Sequence, residues 1–376
     1  GGGFQDPTCR ELATMPELQR IRFDRDQTRD PTAAAARLAR RRGLLSLWCF
    51  DDASLGTSYL CMANTRALER LSITVDSSTS GMAWDAALPS ATSITLVVIA
   101  WPLHTQTLFR QLESLRFLAL CEHSLASSLE SPPPTLWASL ADATRLEELV
   151  FFDVADLPPI DPSVVPPRKL SSLRCVNVVR CGGIMEDALT WAFLAGLPNL
   201  AQLDFDATEL TASLAAKAFG TEAQSRAPLQ RLNLLEDTRF GLAEAHVSAL
   251  LSCFAMLSHV EIHAGLEITG ACLASLPRPE ALHSATINVT ACVQEWDLVT
   301  HVSRCRNLRS LNLKFSRGLI RDDDDAASLI GPVAQRCPLL RLVRIKPVRL
   351  QRMREVSVVG SEWVLAEHDN TDVWTR

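Results

Sequence analysis

The sequence predicts an α/β solenoid of short parallel strands on an inner face and helices on an outer one. Three observations predict it. The grammar L-x-x-L-x-L recurs along the whole chain, as in Leu308, Leu311 and Leu313 of "RCRNLRSLNLKF". Thirteen such units run from Leu18 to Leu340, with steps of 23 to 32 residues and a mean of 27. Between the units, apolar residues fall three and four apart. A fixed period in the twenties is the mark of a stacked-repeat architecture, in which each unit buries its apolar face against the next.

The clearest units are Leu146–Leu149–Phe151, Leu173–Val176–Val178, Leu200–Leu203–Phe205, Leu229–Leu232–Leu234, Leu257–Val260–Ile262, Leu282–Ala285–Ile287 and Leu340–Val343–Ile345. The first third follows the rule more loosely: Leu18–Ile21–Phe23, Leu45–Trp48–Phe50, Leu68–Leu71–Ile73, Ala91–Ile94–Leu96 and Leu115–Leu118–Leu120. A register three residues earlier also fits the last of these. Side chains alternate along a strand, so the fourth and sixth positions point into the core and their neighbours point out. Leu203, Leu232, Val260 and Leu311 are therefore core residues. Helical spacing follows in Met185–Pro198, Leu242–Leu257 and Asp325–Pro338. Pro332 restricts the last helix to the residues after it, since proline fits a first turn. Units with steps near 23 leave little chain for a helix. After Lys346 the period breaks, and Glu355–His368 alternates about Gly360–Ser361, which predicts a hairpin cap. The expected organisation is a solenoid over residues 1–346 and a cap over 347–376.

The pattern resembles the leucine-rich-repeat family, in its longer-period, ribonuclease-inhibitor-like class, over Leu12 to Lys346. That resemblance implies a horseshoe with strands on the concave face and helices on the convex face. "RCPLLRLVRI" and "RCRNLRSLNL" are similar to the cysteine-containing repeats of F-box proteins. Cys181 stands where that subclass has Asn or Cys, whereas Asp76, Thr208, Asp237, Thr290 and Ser316 occupy the same place elsewhere. The resemblance implies a non-enzymatic protein-interaction scaffold: the substrate-recognition repeats of an F-box-like ubiquitin-ligase subunit, with the ligase adaptor bound through a segment upstream. "MPELQRI" (Met15–Ile21) faintly resembles the start of an F-box, but its continuation as "RF" fits a repeat strand better. A Ran-type GTPase activator or the sensing domain of an immune receptor is the alternative. The chain opens "GGGFQD", without Met or a signal-like segment, and reads as part of a longer protein.

Composition narrows the classes. The formal charge is −6 over 376 residues, which argues against nucleic-acid binding. "SITLVVIAWPL" is the longest apolar run and falls short of the ~18 residues of a membrane span. The eleven cysteines are scattered, with no C-x-x-C, so they read as small core residues in a reducing compartment, cytoplasmic or nuclear. The sequon at Asn288 is a chance match. No phosphate-loop, dinucleotide, zincin or nucleophile-elbow motif occurs, so no cofactor, metal or catalytic residue is expected.

Five features remain as candidates. His259, Glu261 and His263 alternate on one strand face, a set that can bind zinc, although a solvated polar strand explains it more simply. Asp322–Asp325 precedes a helix and suits its N-terminus rather than a calcium loop. Ala36–Gly43 is basic and serves either nuclear import or an acidic partner or, more simply, reads as a charged outer helix. Phe117, Val150, Phe152 and Val179 face outward on neighbouring strands, and such an apolar patch either receives a protein partner or lies beneath the proline-rich insert Asp156–Leu170. Arg309, Lys314, Arg341, Arg344 and Lys346 form a cationic region that either steers an acidic partner or serves solubility.

Overall fold

A computed structural model describes residues 19–23, 43–49, 65–75, 86–98, 109–122, 136–154, 157–181, 183–220, 228–236, 242–263, 268–289, 295–315, 332–347, 352–359 and 362–369. The basic stretch Ala36–Arg42 and the acidic run Asp322–Asp325 lie outside these. The chain forms two compact units, Gly1–Leu200 and Ala201–Arg376.

The first unit contains β1 (Arg20–Phe23), β2 (Ser46–Cys49), β3 (Arg70–Val75), β4 (Ala86–Ala87), β5 (Ser93–Val98), β6 (Phe109–Arg110), β7 (Phe117–Glu122), β8 (Glu148–Phe152) and β9 (Cys175–Val179). Its main sheet runs β1-β2-β3-β5-β7-β8-β9, every pair parallel and each strand beside its predecessor. Registry follows the leucine grammar from β3 onward, and β2 departs from it by one residue: Ile21 pairs with Leu47, Leu47 with Leu71, Leu71 with Ile94, Ile94 with Leu118, Leu118 with Leu149 and Leu149 with Val176. In β2 the buried residues are Leu44, Leu47 and Cys49 rather than the expected Leu45, Trp48 and Phe50, because parallel pairing with Ile21 and Leu71 turns Leu47 inward and Trp48 outward. This pairing settles the ambiguous register of β7, with Leu115, Leu118 and Leu120 all buried. The connections of the early units, for which little convex structure is expected, lie largely outside the described residues; within the described part β4 and β6, which precede β5 and β7, pair as a separate two-stranded parallel ribbon that the sequence pattern did not indicate.

Among the described residues of this unit are two α-helices, α1 (Leu136–Leu140) and α2 (Ala188–Gly196). A 3-10 turn, Ile184–Glu186, leads into α2, and the Asp187 carboxylate caps it by accepting a 2.7 Å bond from the Leu189 N–H. That bond satisfies one of the helix's orphan donors.

The second unit holds β10 (Gln202–Ala207), β11 (Arg231–Glu236), β12 (His259–Ile262), β13 (Ser284–Val289), β14 (Ser310–Phe315) and β15 (Leu342–Pro347), again parallel and in chain order. The row Leu203, Leu232, Val260, Ala285, Leu311, Val343 is in register across all six and is at most 1% exposed. At about 1.5–3 kcal/mol for each large side chain fully buried, such rows are the main stabilising term. Helices α3 (Glu209–Gly220), α4 (Glu244–Leu251) and α5 (Glu295–Val302) lie between strands, and the described residues 332–336 are helical. Phe219 of α3 meets Phe254 edge-on at 5.0 Å. Beyond β15 the direction reverses: β16 (Arg352–Val359) pairs antiparallel with β15 and with β17 (Glu362–Asp369), at the place of the expected hairpin.

The turns before the strands are cross-linked. Asn199 Nδ2 donates to the Ser171 carbonyl at 2.7 Å, and Asn307 Nδ2 to the Glu280 carbonyl at 2.8 Å. Each Asn directly precedes the first leucine of its unit, so the "N-L" dipeptide ties one turn to the turn before. Among the described residues, no helix is long and apolar enough to cross a membrane.

Candidate partner-binding face

The outward side chains of β7, β8 and β9 form three rows, set by the pairing. The first is Phe117, Glu148, Cys175; the second is Ala119, Val150, Asn177; the third is Cys121, Phe152, Val179. All four apolar residues expected on this face are on it, and none is fully buried except the neighbouring Ala119. Phe117 stands apart, four residues down its strand from the Cys121–Phe152–Val179 row and beside Glu148. The centre of the patch is therefore Phe152, with Val179 and Cys121 as flanking neighbours and Val150 two residues before it on the same strand.

Phe152 is 38% exposed, unusual for a phenylalanine. The proline-rich insert does not cover it. Leu157, Ile160, Val165 and Leu170 of the insert are buried on the helix side. Trp137 of α1 donates from Nε1 to the Pro158 carbonyl at 3.1 Å, and the Ile160 N–H donates to Thr190 Oγ1 of α2 at 3.0 Å. Trp137 also meets Phe151, the inward neighbour of Phe152, edge-on at 5.6 Å. The insert thus supports the back of β8 and leaves its front open.

Among the described residues, Arg180 lies against the front of Phe152. Its guanidinium lies 4.4 Å from the ring centre and 3.6 Å from the Asp153 carboxylate. Asp153 and Arg180 directly follow β8 and β9 and both adopt positive φ, 59° and 53°. Left-handed residues end the strands abruptly, and the Asp153 N–H bonds back to the Val179 carbonyl at 2.8 Å. Sequence reading missed this pair, because nothing in the spacing announces a left-handed strand end. The same cation–aromatic contact recurs at Arg22 and Trp48, outward neighbours on β1 and β2, at 4.1 Å. Burial pushes the Cys121 thiol above its ordinary range, so it contributes to the patch as an apolar group.

The corresponding face of the second unit is polar. His259, Glu261 and His263 do share one side of the chain, yet they are not gathered around a point. His259 Nδ1 is 2.8 Å from Ser258 Oγ, while His263 Nε2 is 3.0 Å from Glu261 and its Nδ1 is 3.1 Å from Lys314 Nζ. An ammonium donates only, so Lys314 occupies the Nδ1 lone pair and the Nε2 hydrogen faces Glu261. The hydrogen bond from His263, followed by the charges of His263, Lys314 and Arg231, holds the Glu261 carboxyl below its usual range against the opposing effect of burial. Among the described residues, no group of three potential ligands could hold a metal ion.

The five cationic residues divide among three rows. Arg309 and Arg341 precede β14 and β15 and are exposed. Arg344 pairs in register with Asn312, and Lys314 with Lys346. They form no single patch, and Lys314 is engaged by His263. No protein-family model matches this sequence, and no curated protein matches it.

Proposed function

We propose that this chain is a non-enzymatic protein-interaction module of leucine-rich repeats, of the ribonuclease-inhibitor-like class, that holds a protein partner on its strand face. The functional class it fits best is the substrate-recognition region of an F-box-like ubiquitin-ligase subunit working in the cytoplasm or nucleus. The observation that carries this reading is the apolar row around Phe152, itself 38% exposed and backed by the Trp137–insert layer. Aromatic side chains at the centre of such a surface supply much of an interface's energy. The in-register leucine rows support the repeat class, and the eight described cysteines, all free thiols, fit a reducing compartment.

Affinity capture from cells with the intact chain and with Phe152→Asp tests it. Recovery of one protein together with ligase components by the intact chain, and loss of that protein with Phe152→Asp, is the expected result. Capture that survives Phe152→Asp but fails when Arg341 and Arg344 are reversed in charge would move the site to the C-terminal strands.

A further inference from the structure

The residues immediately before the strands form a second ladder. In the second unit, the Ser258 N–H donates to the Gln230 carbonyl, His283 to Ser258, Arg309 to His283 and Arg341 to Arg309, at 2.8–2.9 Å. These backbone bonds fix five consecutive side chains in one line along the edge of the sheet. The next position of each strand adds Arg231, His259, Ser284, Ser310 and Leu342. This edge therefore carries three arginines and two histidines, hydroxyl and amide groups between them, and no carboxylate.

The equivalent ladder of the first unit is built differently. There the line is Glu69, Thr92, Arg116, Glu147, Arg174, joined by the same backbone bonds. Charges alternate, and Arg116 pairs with Glu147 at 3.6 Å. One architecture thus presents a self-neutralised edge in one unit and a single-signed edge in the other, on a chain whose formal charge is −6. In the second unit, Arg231, Arg309 and Arg341 make no ion pair among the described residues, and Arg231, Arg309 and Arg341 are exposed. The nearby Glu261 carboxylate is taken by His263. The crowding of like charge is felt locally. Burial first, then the fields of Arg231 and His283, push His259 below its ordinary range, and Glu261 opposes them only in part.

We infer that this edge of β11 to β15 docks an acidic, extended segment of a protein partner, laid across the strand starts. Four strand spacings of about 4.8 Å give a track of about 19 Å, the reach of about six extended residues. Each guanidinium offers paired donors to one carboxylate, and the intervening Ser284 and Ser310 hydroxyls and the imidazoles complete a donor-rich track. The site shares no residue with the Phe152 face, so each can fail alone.

The test is fluorescence anisotropy of a labelled peptide of about eight glutamates titrated with the intact chain at low and at high salt. Binding at low salt that fades at high salt is expected, as screening requires. Arg309→Glu/Arg341→Glu should weaken it about tenfold or more, while Arg309→Lys/Arg341→Lys retains most of it and Phe152→Asp leaves it unchanged. Arg116→Glu/Arg174→Glu makes the same change in net charge on the other edge and should shift affinity by less than about twofold. The inference is overturned by absence of binding to the intact chain at low salt. It is equally overturned if the two reversals weaken binding alike, which would reduce the effect to net charge, or if inorganic phosphate displaces the peptide at equimolar concentration, which would make the edge a small-anion site.

Discussion

The Arg180 guanidinium sits over the Phe152 ring at 4.4 Å while holding the Asp153 carboxylate at 3.6 Å. The three residues make a half-exposed platform at the ends of two neighbouring strands. Because the platform is wet, its worth to folding is small, about 0.5–1 kcal/mol. Arg180→Ala should therefore shift the urea midpoint only slightly and yet weaken partner capture markedly, since the same contact becomes desolvated in a complex. Equal and large effects on both measurements would make Arg180 a structural residue.

Leu311 is 1% exposed and pairs with Ala285 on one side and Val343 on the other. Truncation to Ala leaves a void that the flanking strands close only in part, and about 2–5 kcal/mol of stability should be lost in denaturant titration. A midpoint unchanged from the parent would contradict the inward register of β14.

Glu244, in the first turn of α4, accepts from the Thr269 N–H at 3.1 Å, the Thr269 hydroxyl at 2.6 Å and the Cys272 N–H at 2.9 Å. It acts as a remote cap for the 3-10 turn Ala271–Ser275. Glu244→Ala leaves those donors unmet and should cost about 2 kcal/mol. Glu244→Gln, which keeps the acceptor oxygen, should recover part of it.

Gly196 closes α2 where the insert comes nearest. A Cβ there would stand 2.9 Å from Pro167 Cγ and 3.2 Å from its Cβ. Helix propensity favours Ala over Gly by up to about 1 kcal/mol, but the proline ring cannot swing aside and overpacking costs about 1–3 kcal/mol. The clash should win, so Gly196→Ala is expected to lower the melting temperature; a rise would mean the insert yields.

Acid should weaken the fold in two stages. His259 is depressed below its ordinary value of 6.5, by burial first and by Arg231 and His283 next, so the unfolded chain binds the proton better and stability declines as pH falls through that value. Glu261 is depressed below 4.5, chiefly by its bond from His263, and its contribution declines as pH falls further. The groups facing His259 are Arg231, His283, Glu261 and Ser258. Denaturant midpoints measured from neutral pH to mildly acidic pH should fall less steeply in His259→Gln than in the parent.

The strands were legible because their rule is local and repeated. Leu203, Leu232 and Val260 sit at the same place in each unit, and parallel pairing carries that place across in register. The outward direction of Phe152 came with it. Contacts that bridge units were not legible in the same way. Lys314 lies 51 residues from His263, and only the strand order makes them neighbours. The insert's choice of side depended on Trp137 and Thr190, whose partners are backbone groups that no spacing rule names. Grouping Arg309, Lys314, Arg341, Arg344 and Lys346 by sequence proximity mixed three rows that the pairing separates. The single-signed edge emerges only when the position before each strand is followed from one unit to the next.

The cysteines of the last units have a further consequence. Burial pushes the Cys305 thiol up to about 12 and the Cys337 thiol up to about 11, and Cys337 Sγ donates to the Val302 carbonyl at 3.6 Å. At neutral pH neither is a thiolate while its unit is closed, so an alkylating reagent reacts only through transient opening. The labelling rate of each thiol then clocks the breathing of its own repeat. The chain carries internal timers along its stack, and a bound partner that clamps one stretch of strands would be located by which timers slow.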